Sequence, residues 1–323
     1  MAQLAIERVE GYCINSQNPN TRVGVPNRYG SEGPSAKERE AIKNKNHHPL
    51  LFSSMNKSSI MSAVSYLATT IADVTFVQEL KQKKSTFFKM RTDMLAGTYM
   101  HRRDGQKDTR WRMEGTPSVD GAGGGCSGGT AICVRHHIGF TAPRLPTGVQ
   151  QDLNNLYEVV PGHLSAAIVN GWARTRILTL SVYLDVKSKL AVKNRGILLL
   201  MGMIIVANGL PFVAMGDWNN SPEALASSGW LHTVDAYIVA PSEPTCYPSH
   251  AKQPSTIDYA VVSNSITPMI DAVYTDVEDP YEPHRRIFLQ LKESPISICE
   301  MVAQTPNEFG CERPIGPCRQ YSR

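Results

Sequence analysis

The sequence predicts a mixed α/β (α+β) fold in which two β-sheets pack face to face with helices outside. Three observations lead there. Apolar runs of strand length recur through the middle of the chain. Helix-length stretches separate some of these runs and only turns separate others, so some strand pairs can lie parallel and others antiparallel. At 323 residues, 41% of them hydrophobic, the chain is long enough for one large core, but its uneven polar excess leaves the ends outside it.

Residues 1–48 are rich in Asn, Ser, Gly, Pro and charge without a period, and read as a flexible polar leader. The ordered domain is expected over 49–292. Leu50 to Met55 reads as a strand. Ser58 or Ser59 caps a helix running to about Thr70, with Ile60, Val64, Leu67 and Ile71 on one face. Ala72 to Val77 is a second strand, closed by Gln78 and Glu79. Gly121 to Gly129 lacks the Lys-Ser/Thr ending of a P-loop, so it reads as a hairpin connection rather than a phosphate cradle. Strands follow at Thr130 to Val134, Glu158 to Val160 with Ala166 to Val169, and Ile177 to Leu184. A long helix spans about Lys187 to Ala207. Pro211 to Met215 has the length of a buried strand, and Ser221 and Pro222 read as N-cap and first position of a short helix to Ser228. Thr245 to Pro248 is a turn, Ile257 to Ser263 a strand, and Ile287 to Leu291 the last core strand. Residues 293–323, with four prolines and three cysteines, read as an irregular tail. The spacing of Cys299, Cys311 and Cys318 fits no standard zinc site.

The seven cysteines form no CxxC pair and are odd in number, which argues against a disulfide framework and for reduced intracellular thiols. Met1 to Glu10 is charged and lacks the apolar core of a secretory signal. The longest apolar stretch, Gly196 to Ala207, is too short to span a bilayer. These features predict an intracellular protein, the nucleus included, rather than a secreted or membrane-embedded one. The net charge of +4 is too mild to identify a nucleic-acid partner by itself. It is concentrated, however: residues 81–112 carry ten basic and three acidic side chains, interleaved with Phe87, Phe88, Tyr99 and Trp111. Basic plus aromatic suits a phosphate backbone with stackable bases, with Arg102, Arg103, Arg110 and Arg112 as the candidate contacts, and suits equally a solvated charged surface with a few buried aromatics.

The strand ends carry the chemistry. Asp217 and Asn219 follow the apolar run to Met215 at alternate positions, so in extended backbone both project to one side. A carboxylate and an amide at the rim of a sheet suit a metal ion or a phosphate. The same pattern closes other strands: Asn56 after Met55, Glu79 after Gln78, and Asp185 after Tyr183 and Leu184. Asp258 opens a strand, and His284 directly precedes the last one. Cys246 and His250, beside the turn, carry no assignable role.

In this order the residues resemble the endonuclease/exonuclease/phosphatase superfamily, with its deoxyribonuclease I-like and exonuclease III-like members. The resemblance runs from about Leu51 to Leu291. "ADVTFVQE" resembles the family's Asp-Val-x-x-x-Gln-Glu strand, "FVAMGDWN" its Gly-Asp-Phe-Asn strand, "STIDYAVVS" its Arg-Ile-Asp-Tyr strand and "EPHRRIFLQL" its Ser-Asp-His-x-Pro-Val ending. "VVPGHLSAAIVNGWARTRILTLSVYLD" and "ASSGWL" are similar to the endonuclease-like domains of non-LTR retrotransposons.

The resemblance implies a four-layer sandwich with a divalent-metal phosphodiesterase site at one sheet edge, using Mg²⁺ (or Mn²⁺). It makes Glu79 the main metal ligand and Asn56 a support for it or a phosphate contact. Tyr183 would hydrogen-bond the scissile phosphate. Asp217 would activate the attacking water, and Asn219 would contact the phosphate. Asp258 would orient His284, which would hydrogen-bond the phosphate or act as general acid or base. The implied substrate is nucleic acid, DNA in preference to RNA, and the implied protein a retroelement-type endonuclease. Two alternatives keep the fold: a non-cleaving nucleic-acid binder, and a phosphatase of inositol or lipid phosphates. The chain departs from the family pattern at Pro283, where an Asp normally precedes the histidine, which implies reduced activity unless Glu282 or Asp279 substitutes. It also carries Ser58 where apurinic endonucleases often have a second acidic ligand.

Overall fold

The computed structural model describes residues 9–15, 18–26, 37, 50–56, 60–97, 110–120, 125–146, 161–171, 175–188, 190–248, 253–276 and 283–292. Two mixed sheets form the body. The larger runs in the order β2 (Asn18–Pro26), β1 (Val9–Asn15), β13 (Ala236–Pro241), β14 (Asp258–Ser263), β12 (Phe212–Asp217), β11 (Arg176–Tyr183), β10 (Leu164–Asn170) and β9 (Phe140–Thr141). The smaller runs β15 (Ile270–Thr275), β16 (Ile287–Leu291), β3 (Leu51–Asn56), β4 (Val74–Gln78), β8 (Thr130–Arg135) and β5 (Trp111–Thr116). A small ribbon pairs β6 (Val119–Asp120) with β7 (Cys126–Ser127).

Helices α1 (Ile60–Thr69) and α2 (Lys84–Ala96) cover the outer face of the smaller sheet. Helices α3 (Val192–Asn208), α4 (Pro222–Ser227) and α5 (Trp230–Thr233) cover the larger. The parallel pairs β3–β4 and β11–β12 are those joined through α1 and α3, as a crossover requires. Every residue of β3, β4, β12, β14 and β16 is buried, because each strand has a helix layer on one face and the other sheet on its second.

Between the sheets, Phe52, Val74, Phe76, Val213, Met215, Ala260 and Leu289 belong to one apolar cluster. Elsewhere the inter-sheet layer turns polar. Ser53 and Thr75 share a hydrogen bond of 2.9 Å, Ser54 donates to Gln78 Oε1 at 3.3 Å, and Gln78 Nε2 donates across the gap to Ser181 at 3.0 Å. Gln78 closes β4, one residue before Glu79, and Ser181 lies two before Tyr183. The sheets are thus tied by directional bonds next to Glu79 and Tyr183.

Two expectations are corrected. The flexible leader proposed for 1–48 contains β1 and β2, an antiparallel hairpin that pairs with β13 at the edge of the larger sheet. Its polar composition hides it in the sequence, although Cys13 and Ile14 are buried. Within 81–112, residues 84–96 are helical, with Phe87, Met90 and Met94 buried. Phe87 and Trp111 are fully buried and unavailable for base stacking, although Phe88 is exposed. Arg110 and Arg112 are half-buried, while Arg102, Arg103 and Tyr99 lie outside the described residues.

The long helix starts at Val192 rather than Lys187. Asp185 Oδ1 accepts from the backbone N–H of Lys187 and Ser188 and from the Ser188 hydroxyl, which holds that segment in a turn. The proposed strand at 158–160, the tail 293–323 and its cysteines lie outside the described residues. Among the described residues, no helix is long and apolar enough to cross a membrane.

Candidate active site

Strand register assembles the site. Asn56 pairs with Gln78 at the parallel ends of β3 and β4, and Tyr183, Asp217 and Asp258 stand side by side across β11, β12 and β14. Gly216 is required there: a Cβ on it would lie 1.9 Å from the Val182 carbonyl oxygen, so only glycine lets β11 and β12 pair closely at this point. Asn56 Nδ2 crosses from the smaller sheet to donate to Asp217 Oδ2 at 2.8 Å. The backbone N–H of Asn219 donates to Asp217 Oδ1 at 3.0 Å. Both carboxylate oxygens are therefore held.

Asp258 is held in a comparable way. Its Oδ2 accepts from Thr245 Oγ1 at 3.0 Å and faces His284 Nδ1 at 2.9 Å. The backbone keeps His284 in place: Cys246 bridges to both Ser255 and His284, the N–H of Arg285 donates to the Thr245 carbonyl at 2.8 Å, and the N–H of Tyr247 donates to the Pro283 carbonyl at 2.8 Å. Pro283 brings no carboxylate, yet its carbonyl helps pin the loop that carries the histidine. Glu282 and Asp279, the possible substitutes, lie outside the described residues.

Burial opposes the charge on His284, but the neighbouring Asp258 carboxylate outweighs it and pushes the imidazole up to about 12. It is an imidazolium at neutral pH. Asp217 is pushed up to about 8, first by burial and then by the negative charge of Asp258. Its carboxyl can take or release a proton near neutrality.

Glu79 sits apart, on the loop after β4. Tyr183 donates its hydroxyl to Glu79 Oε1 at 2.6 Å, and Lys81 Nζ lies 3.4 Å from Oε2. Burial, then the Glu79 carboxylate, raise the Tyr183 phenol above its ordinary value, so it stays a donor. Glu79 and Lys81 both have left-handed backbone, with φ of 54° and 51°, which is uncommon without glycine. The glycine-rich stretch supports this: Leu80 N–H donates to the Gly129 carbonyl and Lys81 N–H to that of Gly128, while Gly129 N–H donates to Gly162. Gly128 and Gly162 both have φ of 71°, and the backbones are so close that a Cβ on Gly128 would sit 2.8 Å from the Gly162 carbonyl oxygen and one on Gly162 2.8 Å from the Gly129 nitrogen. This end of the stretch is thus a brace beneath Glu79; residues 121–124 lie outside the described set.

Three findings adjust the sequence expectations. The Tyr183 hydroxyl hydrogen already serves Glu79, so donation to a phosphate requires Glu79 to turn elsewhere. Asn219 Nδ2 donates to the Leu184 carbonyl at 2.8 Å, leaving one of its two hydrogens for a phosphate. Asp185 is held by Lys193, Ser188 and its own turn rather than joining the cluster. Sequence reasoning missed Thr245, Lys81 and His163, whose ring stacks on Tyr183 at 5.6 Å and whose Nδ1 lies 2.6 Å from the Tyr183 carbonyl. None of the three sits at a strand end of the kind that flagged the others.

A hard divalent ion has a fitting place here. Asp217, Asp258 and His284 bring potential ligand atoms within 4.8 Å of one another. But the Asp217 oxygens and Asp258 Oδ2 already accept hydrogen bonds, and an imidazolium has no lone pair to give. Glu79 offers a carboxylate oxygen on a partly exposed loop, and Asn56 keeps its Oδ1 free of any role toward Asp217. These are the hard oxygen donors Mg²⁺ prefers.

The sequence matches the endonuclease/exonuclease/phosphatase family over residues 55–279. No curated protein matches it. The fold is similar to that of the AP endonuclease LMAP from Leishmania major, with a TM-score of 0.53 and 12% identity over 75% of this chain and 87% of that one. It is also similar to the 3'-5' exonuclease NExo from Neisseria meningitidis, with a TM-score of 0.50, 17% identity and coverage of 75% and 100%. The endonuclease domain of TRAS1, a telomere-specific non-LTR retrotransposon, has a TM-score of 0.50 and 14% identity, with coverage of 76% and 99%. These likenesses establish a shared fold.

Proposed function

The chain belongs to the endonuclease/exonuclease/phosphatase family, and from that premise we propose that it is a Mg²⁺-dependent phosphodiesterase that cuts nucleic acid, a retroelement-type endonuclease acting on DNA. The observation that carries the reading is the buried Asp217 beside the Asp258–His284 pair where strand ends of the two sheets meet, with Glu79 reached through Tyr183 on the neighbouring strand. The retroelement part rests on the sequence likeness of 159–185 and 226–231, and it would place the protein's work in the nucleus.

Each residue has a task that its surroundings fit. Glu79, with Asn56 Oδ1, would hold the metal, which supplies positive charge to a phosphoryl oxygen. Tyr183 fixes the rotamer of Glu79. Asp217, poised near neutrality by burial, accepts the proton of the attacking water. His284, kept cationic by Asp258, donates from Nε2 to the phosphate as negative charge builds. The high affinity of His284 for its proton favours this electrostatic role over that of a base. Asn219 adds its remaining amide hydrogen.

Nicking of supercoiled plasmid in Mg²⁺ tests the reading. Glu79→Gln and His284→Ala should each lower the rate by roughly 10²–10⁴-fold. Full activity in both variants would remove the site. Parallel assays on RNA and inositol phosphates decide the substrate, and salt-sensitive DNA binding without cleavage would support the non-cleaving alternative.

A further inference from the structure

Helix α3 is apolar all round from Ile197 to Ala207, a composition that normally goes with burial on every side. Its inner face packs on the larger sheet, but Val192, Leu199, Met203 and Val206 stay between 38% and 88% exposed. At about 100° per residue these four fall within an arc of about 60°, a continuous stripe rather than scattered surface residues. Gly196 lies beside the stripe, and a Cβ there would meet nothing within 4 Å; at Gly202 it would make only ordinary contacts, 3.5 Å from Val234. Packing within one chain requires neither glycine, and each costs helix stability relative to alanine. Glycine on an open helix face lets another backbone come close.

The stripe is self-complementary. Laid antiparallel across a two-fold axis at Leu199, two copies of α3 bring Leu199 against Leu199, Val192 against Val206, Arg195 against Met203 and Gly196 against Gly202. The charges agree with this direction. Arg195 stands in the first turn of α3, where the helix dipole is positive and no acidic residue offsets it. Asp235 stands at the other end of the helix, lining one recess with Val206 and Gly209. Neither side chain has an ion-pair partner among the described residues. Helical side chains lean toward their own N-terminus, so in the antiparallel pair Arg195 reaches toward the other copy's C-terminal end, where Asp235 stands. We propose that α3 is the interface of a two-fold homodimer, seamed by Val192, Leu199, Met203 and Val206 and closed at each end by Arg195 of one copy and Asp235 of the other. The surface lies on the outer helix layer and does not rest on the nuclease reading.

Sedimentation equilibrium of the full chain tests it: at micromolar concentration the wild type should have twice the mass of one chain. Leu199→Glu sets two carboxylates face to face on the axis and should weaken the dimer by roughly 100-fold or more, with circular dichroism unchanged because the side chain is exposed. Arg195→Asp and Asp235→Arg should each weaken it, and the two combined should restore it. Under mild oxidation Leu199→Cys should link two chains through a disulfide. Val192→Cys, at a more exposed position but opposite Val206, should not exceed the wild-type background. A monomeric wild type overturns the proposal, as does a dimer indifferent to Leu199→Glu or equal linking by the two cysteine variants. Nicking per chain should be unchanged in Leu199→Glu; absence of nicking in every form would sink the nuclease reading and leave the dimer standing.

Discussion

Asp258 opens β14 in the larger sheet and His284 precedes β16 in the smaller one, and there Thr245, paired backbone and burial fix the pair before any ligand arrives. Glu79 lies 2.6 Å from a single phenol on a left-handed loop, partly exposed and facing the ammonium of Lys81. The first region is rigid and saturated with hydrogen bonds; the second holds backbone strain and an open carboxylate oxygen. The difference separates two tasks. Charge stabilisation wants preorganised groups that need not move as the reaction proceeds. Metal binding wants an accessible hard ligand that can leave one partner for another, and strained backbone persists where the surrounding structure over-determines it, here through Gly128, Gly129 and Gly162.

Removing the charge of the rigid half should have the largest effect. Asp258→Asn should lower the cleavage rate by roughly 10²–10⁴-fold and destabilise the fold by about 2–4 kcal/mol, because a buried pair loses its anion. The His284 pKa should fall well below about 12, since burial then opposes the charge with only Cys246 and Asp217 left to favour it, and proton NMR of the ring reads this directly. Glu79→Gln, by contrast, should cost about 1 kcal/mol or less, its side chain being partly exposed. Equal thermal destabilisation by the two substitutions would break the distinction between the halves.

The pH dependence of stability sharpens the same contrast. Asp217 has its folded pKa raised from 3.8 to about 8, so between these values the folded chain keeps a proton that the unfolded chain has released. Stability from this source is complete below the unfolded value and is lost as pH rises through the folded one. His284 acts in the same direction over a later window, from 6.5 to about 12. Between about pH 4.5 and 6.5 Asp217 therefore acts alone of the two, and Asp217→Asn should flatten the decline there, as read from urea midpoints. An unchanged slope would mean that Asp217 is not held protonated by its surroundings.

Much of this was legible in the sequence, and the reason is local. A fully buried strand between two layers must be a continuous apolar run, so β3, β4, β12, β14 and β16 stand out, and the polar residues at their ends can be read from the chain. Glu79 and Asp217 after their runs, Asp258 at the start of one and His284 before another were flagged this way, and the structure brings Asp217, Asp258 and His284 together. What escaped depends on distant partners. The hairpin β1–β2 needs only one buried edge, and α2 hides Phe87, Met90 and Met94 in a segment dominated by lysine and arginine. Thr245 and Cys246 matter because residues 255 and 284 pair with them, and no spacing along the chain encodes that. The brace under Glu79 depends on the close approach of Gly162 to Gly128 and Gly129, which glycine content alone does not reveal.

The smallest predicted effect probes the strained half alone. Lys81→Gly removes a side chain from left-handed backbone, a gain of up to about 1 kcal/mol. It also removes a partly exposed ion pair worth about 0–1 kcal/mol. The two nearly cancel, so the melting temperature should move little. The metal should respond more. With the ammonium 3.4 Å from Oε2 gone, its positive charge no longer competes for that oxygen, and the Mg²⁺ concentration for half-maximal cleavage should fall severalfold. Weaker Mg²⁺ dependence together with poorer DNA binding would instead make Lys81 a substrate contact. A large loss of stability would show that the loop relies on its ion pair, and the contrast between a rigid half and an open half would then have to be withdrawn.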